Sequence, residues 1–371
     1  MPHNQPKYLI IYNDLCTQIH QNKLRPGEKV PSEAELCRQH NVSRITAKQA
    51  LDLAAREGLI ERKPGLGSFV HSTPPTHRCR KSKKMIALVQ PGLSTTYGIE
   101  MLTRFQYLTR KDGILLISAI SENCTDTENE ILADLADFEI DGYVVYPTHN
   151  ETFNNEVLRL IIEGIPVVLV DRYLQDISCP SVVSANTKGS LLAMNHLLEL
   201  GHRKIGVITR TLDKTSTLRD RLKGVETACQ EAKLQMGTDV CFLELNGREL
   251  EDPTIDAGMR RSIEEFMNSH PQLTALFAFE YGYIPVLEVV LRDMGLQIPQ
   301  DISLICFDAP MHNLNLLHPV THVRQNEQQL AETAYALLKK RMEGKEVDYM
   351  HTIDVTFVPG ETTALVPQRN S

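Results

Sequence analysis

Two small sets of residues carry the chemistry open to this sequence. The first lies between residues 43 and 67: Ser43, Arg44, Thr46 and Lys48 open one helical stretch, and Lys63, Gly65 and Gly67 sit in a short hairpin. Arginine can bond a guanine edge twice, threonine can meet a thymine methyl or a phosphate, and lysine neutralises phosphate. Glycines at a hairpin tip let the backbone approach a sugar-phosphate rail. Lys7 is one more basic residue near the start of the chain, equally at home in solvent. The second set is Asp171, Arg221 and Asp308, with Tyr97 and Phe279 as candidate stacking faces. Carboxylates accept from paired hydroxyls and a guanidinium donates two bonds at once, which is how a polyhydroxylated ligand is held.

The elements that would position the first set can be read locally. Pro31-Ser32-Glu33-Ala34-Glu35 is a helix start, with Ser32 as N-cap and Glu35 closing a capping box. That helix ends near residues 38–41, and Ser43 caps a second one running to Arg56, with Gly58 just beyond its end. Ala47, Ala50, Leu51 and Ala54 fall at i, i+3, i+4 and i+7 and form its buried stripe, which leaves Arg44, Thr46, Lys48 and Gln49 on or beside the open face. Leu59–Arg62 and Ser68–Val70 read as two strands of a wing around Lys63-Pro64-Gly65-Leu66-Gly67. A first helix over 7–22, with Tyr8, Ile11, Leu15 and Ile19 on one face, packs behind the pair. Any one of these charges alone could be an ordinary solvated residue. The order of cap, turn, helix and glycine wing is what points to DNA.

The second set needs a different scaffold. From Met85, short apolar runs at 85–89, 113–118, 141–146 and 165–170 alternate with helical stretches near 99–110, 126–137 and 151–163. After Val182-Val183 the alternation restarts, with helices at 187–200 and 218–233 and strands near 204–208, 241–245, 274–279 and 302–307. Continuous apolar runs separated by helices predict parallel sheets covered on both faces, so the body is α/β with two lobes. Ligands of such sheets bind outside the carboxyl ends of the strands, where Asp171 follows 165–170 and Asp308 follows 302–307. Either aspartate could instead be a surface turn residue or half of a lobe–lobe ion pair, and a lone Tyr97 could be packing.

Composition narrows the class. The formal charge of −8 is unevenly divided: residues 1–84 hold 15 Lys and Arg against 7 Asp and Glu, so a basic head precedes an acidic body. Residues 72–84 contain Pro74-Pro75, five basic residues and no acid, and read as an extended linker. Eight scattered cysteines without a CxxC pair or Cys/His ligand spacing point to a reducing cytoplasm and away from zinc or a disulfide framework. No apolar run approaches the ~18 residues of a membrane helix, and the polar start predicts no signal peptide. GxSxG, HExxH and GxxxxGK[ST] are missing, and no GxGxxG opens a helix after a strand, so no enzyme, cofactor or metal is expected.

Residues up to 70 resemble the winged helix-turn-helix of the GntR family of bacterial transcription regulators. Pro31-Ser32-Glu33, Glu35-Leu36, Val42-Ser43-Arg44, Thr46, Ala50-Leu51, Glu57-Gly58-Leu59-Ile60 and Gly65–Val70 carry the likeness. The body resembles the LacI/GalR-family effector domain, a relative of periplasmic sugar-binding proteins. Here the carriers are Asp141-Gly142, Ile165–Val168 with Asp171-Arg172, Leu200–Ile205, Arg221–Gly224, Phe307-Asp308 and Pro319–Gln325. The combination resembles arabinose-repressor-type regulators. It implies a DNA-binding domain at 1–71, a linker at 72–84 and an effector-binding and dimerisation domain at 85–371. Lobe 1 would take about 85–184 and 327–352, and lobe 2 about 185–326 and 353–371. Family position also supports Asp171, Arg221 and Asp308 as ligand residues. Departures are Ala34 where many members have Arg, Ala185-Asn186 for Asp-Asn, Phe279-Glu280 for Asn-Asp, and Gly360-Glu361-Thr362 for Arg-Glu-Ser. The implied protein is a cytoplasmic repressor, a homodimer on operator DNA, released by a sugar or sugar derivative bound between the lobes. A constitutive DNA-binding dimer with a silent cleft and a sensor of a non-sugar effector are the alternatives.

Overall fold

The computed structural model describes residues 6–21, 23–63, 65–71, 83–94, 97–148, 154–211, 215–245, 257–308 and 319–367. The chain divides into two compact units, Met1–Lys83 and Lys84–Ser371. The linker reading for 72–82 lies outside the described residues.

The first unit consists of α1 (Lys7–His20), α2 (Glu33–His40), α3 (Arg44–Arg56), β1 (Ile60–Lys63) and β2 (Gly67–Val70). The capping box at α2 forms as expected. Ser32 N–H donates to Glu35 Oε2 at 2.8 Å, and Glu35 N–H donates back to Ser32 Oγ at 3.3 Å. Asn41, in the left-handed conformation, ends the helix, and Ser43 caps the next. Ala47, Ala50, Leu51 and Ala54 are all buried against Ile11, Leu15 and Leu36, so the small side chains let three helices meet closely. The wing is antiparallel, with Ile60 opposite Val70 and Lys63 opposite Gly67. Gly67 has φ +117°, and a Cβ there would lie 2.6 Å from Lys29 Cε. Any side chain at that turn would be strained.

The second unit holds two six-stranded sheets. Lobe 1 orders its parallel strands β13-β7-β6-β5-β3-β4, from β3 (Met85–Gln90), β4 (Leu115–Ile120), β5 (Gly142–Val145), β6 (Val167–Val170), β7 (Ser181–Ser184) and β13 (Met350–Ile353). Ile86, Leu88, Val144 and Val168 pack on α4 (Ile99–Lys111) and α11 (Glu327–Met342). Ala87, Val89, Val145 and Leu169, on the opposite face, pack on α5 (Thr125–Leu135) and α6 (Asn155–Ile162). Both faces are covered, which is why these strands read as unbroken apolar runs.

Lobe 2 repeats the plan with β14-β12-β11-β10-β8-β9. Its strands are β8 (Ile205–Thr209), β9 (Val240–Glu244), β10 (Ala275–Ala278), β11 (Ser303–Phe307), β12 (Thr321–Arg324) and an antiparallel edge strand β14 (Thr356–Val358). Helices α7 (Asn186–Glu199) and α8 (Ser216–Ala232) cover one face, and α9 (Ala257–Ser269) and α10 (Ile284–Asp293) the other. The chain passes between the lobes from β7 to α7, from β12 to α11 and from β13 to β14. Several local expectations shift: β6, like β4, starts two residues late, and β12, β13 and β14 fall where no strand was expected. Strand β4 starts two residues late because Gly113, at φ 71°, closes α4, and Ile114 N–H still bonds Thr109 O at 2.8 Å. Strand β12, Thr-His-Val-Arg, is too short and too polar to stand out in the sequence. Among the described residues no helix is long and apolar enough to cross a membrane.

Candidate functional site

On the first unit, α3 opens with Ser43, Arg44, Ile45 and Lys48 exposed and Thr46 half-buried. Ser43 Oγ accepts from Thr46 N–H at 3.3 Å and lies 2.9 Å from Thr46 Oγ1, so both hydroxyls first serve the helix start. Arg44 is 85% exposed, with Nε 3.1 Å from Glu33 Oε2. Arg62 lies 3.7 Å from the other Glu33 oxygen and 2.9 Å from Asp52. Solvent-exposed pairs of this kind are weak, so Glu33 orders Arg44 without holding it against a stronger anion. Lys63 Nζ lies 3.4 Å from Glu61 and 5.5 Å above the Phe69 ring, beside the exposed Gly65 and Gly67 of the tip. Lys7 is exposed at the first residue of α1. Ile45, 72% exposed, is absent from the expected set because that set was polar. Its apolar body on an open helix face suits a thymine methyl.

On the second unit the two lobes line a cavity of about 300 Å³. Lobe 1 brings Tyr97, Tyr146, Asp171 and Arg172; lobe 2 brings Arg210, Thr217, Arg221, Glu280 and Asp308; the β12–α11 crossover brings Gln325. Asp171 and Asp308 each follow the last residue of a parallel strand, and each takes the left-handed conformation, φ 68° and 60°. Each also sends its backbone N–H to the neighbouring strand, Asp171 to Val182 O and Asp308 to Val323 O, both at 2.8 Å. Positive φ at a non-glycine residue is a local strain that marks functional turns. The lobes therefore present their carboxylates by the same device.

The polar groups of the cavity are tied to one another. The Tyr97 hydroxyl donates to Asp171 Oδ1 at 2.5 Å, and burial with that carboxylate beside it pushes the phenol well above its ordinary range. Thr217, from lobe 2, donates to Asp171 O at 3.3 Å. Asp308 accepts from Gln325 Nε2 at 2.8 Å and from its N–H at 3.3 Å. Burial raises the Asp308 carboxyl to about 6, opposed by Arg221 and Gln325. Arg221 is 3% exposed. Its Nε donates to Asn186 Oδ1 at 2.9 Å, its Nη1 to Phe279 O, and its guanidinium lies 3.8 Å over the Phe307 ring. Arg210 Nε donates to Glu280 Oε2 at 2.7 Å. Burial alone would raise Glu280, but Arg210, with Arg221 and Arg172, brings it below the usual carboxylate range. Arg172 donates to Pro147 O at 2.6 Å and lies 4.8 Å over Tyr146. Its buried Nε has no hydrogen-bond partner among the described residues.

Four of the five expected ligand residues, Tyr97, Asp171, Arg221 and Asp308, thus meet around one cavity, and Phe279 does not. Phe279 is fully buried in the lobe 2 core, edge-on to Phe277 at 5.2 Å. Strand alternation explains the correction: residues 277 and 279 share the face under α7 and α8, and the following Glu280 is the one that reaches the cavity. Phe279 still contributes its carbonyl to Arg221. Arg172, Arg210, Glu280 and Gln325 add further polar groups to the lining. Arg172 stands beside Asp171, Glu280 in the Phe279-Glu280 departure and Gln325 in the Pro319–Gln325 run, so all three had a sequence signal; Arg210 had only its partner Glu280, 70 residues away.

Residues 7–70 match the model for bacterial regulatory proteins of the gntR family, and residues 194–363 match that for a periplasmic binding protein-like domain. The arabinose metabolism transcriptional repressor of Geobacillus stearothermophilus is 27% identical over 346 residues, covering 92% of this chain and 93% of that protein. Two solved structures share the fold of the body. A LacI family transcriptional regulator from Enterococcus faecium with bound ribose is 20% identical, with TM-score 0.63, covering 76% of this chain and 100% of its own. The periplasmic binding protein/LacI transcriptional regulator from Alkaliphilus metalliredigens, complexed with D-xylulofuranose, is 22% identical, with TM-score 0.62, covering 76% and 99%. The chain is thus a GntR-type helix-turn-helix head joined to a periplasmic-binding-protein-like body.

Proposed function

We propose that this protein is a transcriptional repressor, acting as a homodimer in the cytoplasm, whose head binds operator DNA and whose cavity binds a small neutral carbohydrate. The observation that carries the effector half is the balance of the cavity. Arg172, Arg210 and Arg221 stand against Asp171, Glu280 and Asp308, so the lining offers many donors and acceptors with no net charge to neutralise. A ring of hydroxyls uses such a surface; a sugar phosphate or sugar acid leaves its charge unmatched. The volume lies at the small end for ligand sites, the size for one sugar ring or a pair. The relative from Geobacillus stearothermophilus, a transcriptional repressor of arabinose metabolism, and the D-xylulofuranose and ribose bound by the two structural neighbours support the same class.

The DNA half rests on the exposed start of α3 beside a glycine-tipped wing. One head per protomer would read one half-site of a pseudo-palindrome. Binding rather than turnover is the role assigned to the cavity, and the ligand acts only through its different affinity for the two states of the protein.

Thermal melting with L-arabinose, D-ribose, D-xylulose, their phosphates and sugar acids tests the effector class. A ligand present at ~100 times its Kd stabilises by about 2.7 kcal/mol, which is readily measured. A neutral sugar should give the shift and then weaken operator binding. A shift only with charged sugars would overturn the neutral assignment, and none at all would favour a non-sugar effector or a silent cleft.

The Asp308 carboxyl adds a pH signature. Raised to about 6 by burial, it is ionised at neutral pH and accepts from hydroxyls and from Gln325. As pH falls through that value it takes a proton and loses acceptor capacity. Affinity for the sugar should therefore drop by about tenfold per pH unit below ~6. Asp308→Asn should remove that slope; a slope unchanged in the variant assigns it to another group.

A further inference from the structure

Helix α4 begins without a cap of its own. Its N-cap residue is Gly98, at φ +97°, a conformation that Ser, Asp or Thr would adopt only under strain, and glycine has no side chain to offer the first N–H groups. The missing acceptor comes from elsewhere in the chain. Glu327, the first residue of α11, accepts through Oε2 from Gly98 N–H at 2.8 Å and from Met101 N–H at 3.0 Å. It is nearly fully buried, and its own helix is capped by Asn326, which accepts from Gln329 N–H at 3.0 Å. A buried carboxylate is costly, and a helix start is one of the few places where backbone dipoles offset that cost.

Glu327 also ends a four-residue crossover in which every side chain has a partner. Arg324 lies 3.0 Å from Glu100 of α4, Gln325 donates twice to Asp308 in the cavity, Asn326 caps α11, and Glu327 caps α4. At the other end of the path Tyr97, directly before Gly98, donates to Asp171. The start of α4 is therefore suspended between the two cavity aspartates. Burial holds the Glu327 carboxyl near 7, with Asp308 and Glu100 pushing the same way against its two backbone bonds, so the cap is sensitive to changes at Asp308.

We propose that Glu327 is a positioning residue: it caps α4 in trans and ties that helix to the Asp308–Gln325 pair, so that a change at the cavity is passed to α4. A ligand hydroxyl that draws on Asp308 loosens or tightens Gln325, and the two-residue step to Glu327 carries the displacement to the α4 backbone. The outer side of α4 bears Ile99 and Tyr107, each nearly half exposed, so a shift of this helix alters an apolar surface of lobe 1. That the relay reports occupancy rests on the effector reading of the cavity; the cap and its coupling to Asp308 do not.

Amide hydrogen exchange on the full-length chain tests it without ligand or DNA, so its failure is separate from failure of the sugar assignment. Glu327→Ala should speed exchange at Gly98 and Met101 by on the order of tenfold, and Glu327→Gln, which keeps the shape but not the charge, by less. Asp308→Asn, which removes the like charge facing Glu327 and alters its hold on Gln325, should change exchange at these two amides in the otherwise unchanged chain, and should change nothing in the Glu327→Ala background. Equal effects of Asp308→Asn in both backgrounds would overturn the relay. Unchanged exchange in Glu327→Ala would remove the cap itself. If the alanine variant folds poorly, the same cycle run with Glu327→Gln decides between coupled and independent sites.

Discussion

Arg221→Ala should abolish the melting shift produced by the effector while leaving operator affinity, measured without effector, at the level of the unchanged protein. The guanidinium is the hub of the lobe 2 side of the cavity: it bonds Asn186 and the Phe279 carbonyl, covers Phe307 and lowers both Glu280 and Asp308. Removing it takes the forked donor from the ligand and leaves two carboxyls less compensated. It also strands the Asn186 oxygen, so the body should lose about 3–5 kcal/mol, the usual cost of breaking a buried charged network. Arg221→Lys separates the two effects, because lysine keeps the charge but cannot reproduce the planar fork. It should fold with a smaller penalty and still respond weakly or not at all. A normal effector shift in Arg221→Lys would remove Arg221 from the ligand site. Loss of DNA binding would show instead that the body variant disturbs the head.

Arg44→Ala should cost about 1–3 kcal/mol of specific operator binding and relax preference at one base pair. The side chain is highly exposed at the first residue of α3, and its ion pair with Glu33 is solvent-exposed and weak. Breaking that pair on binding therefore subtracts little from a bidentate contact to guanine. Lys48→Ala provides the contrast: removing a phosphate-neutralising charge weakens binding on all sequences alike and reduces the salt slope by about one. Binding to a set of operators with single base changes, at two salt concentrations, reads both. If Arg44→Ala behaves as Lys48→Ala does, Arg44 pairs with phosphate. If operator affinity is unchanged, it reads neither base nor phosphate.

What could be read from the sequence was what local physics dictates. The Ser32–Glu35 capping box, the Ala47–Ala54 stripe and the two wing glycines each depend on neighbours within a few residues, and each stands where expected. The parallel sheets were legible because strands covered on both faces must be apolar throughout. Asp171 and Asp308 could be placed for the same reason: a residue directly after such a strand stands at the carboxyl edge, whatever the rest of the chain does. Tertiary structure decided the questions that depend on distant partners. Whether Phe279 or Glu280 faced the cavity turned on which side of β10 α7 and α8 cover, and on Arg210 being there to meet a buried carboxylate. Asn186 and Arg221 are 35 residues apart, and Glu327 caps a helix whose N-cap residue, Gly98, lies 229 residues earlier. Hydrogen bonds over such separations leave no period or spacing in the chain, because only the packed lobes bring their ends together.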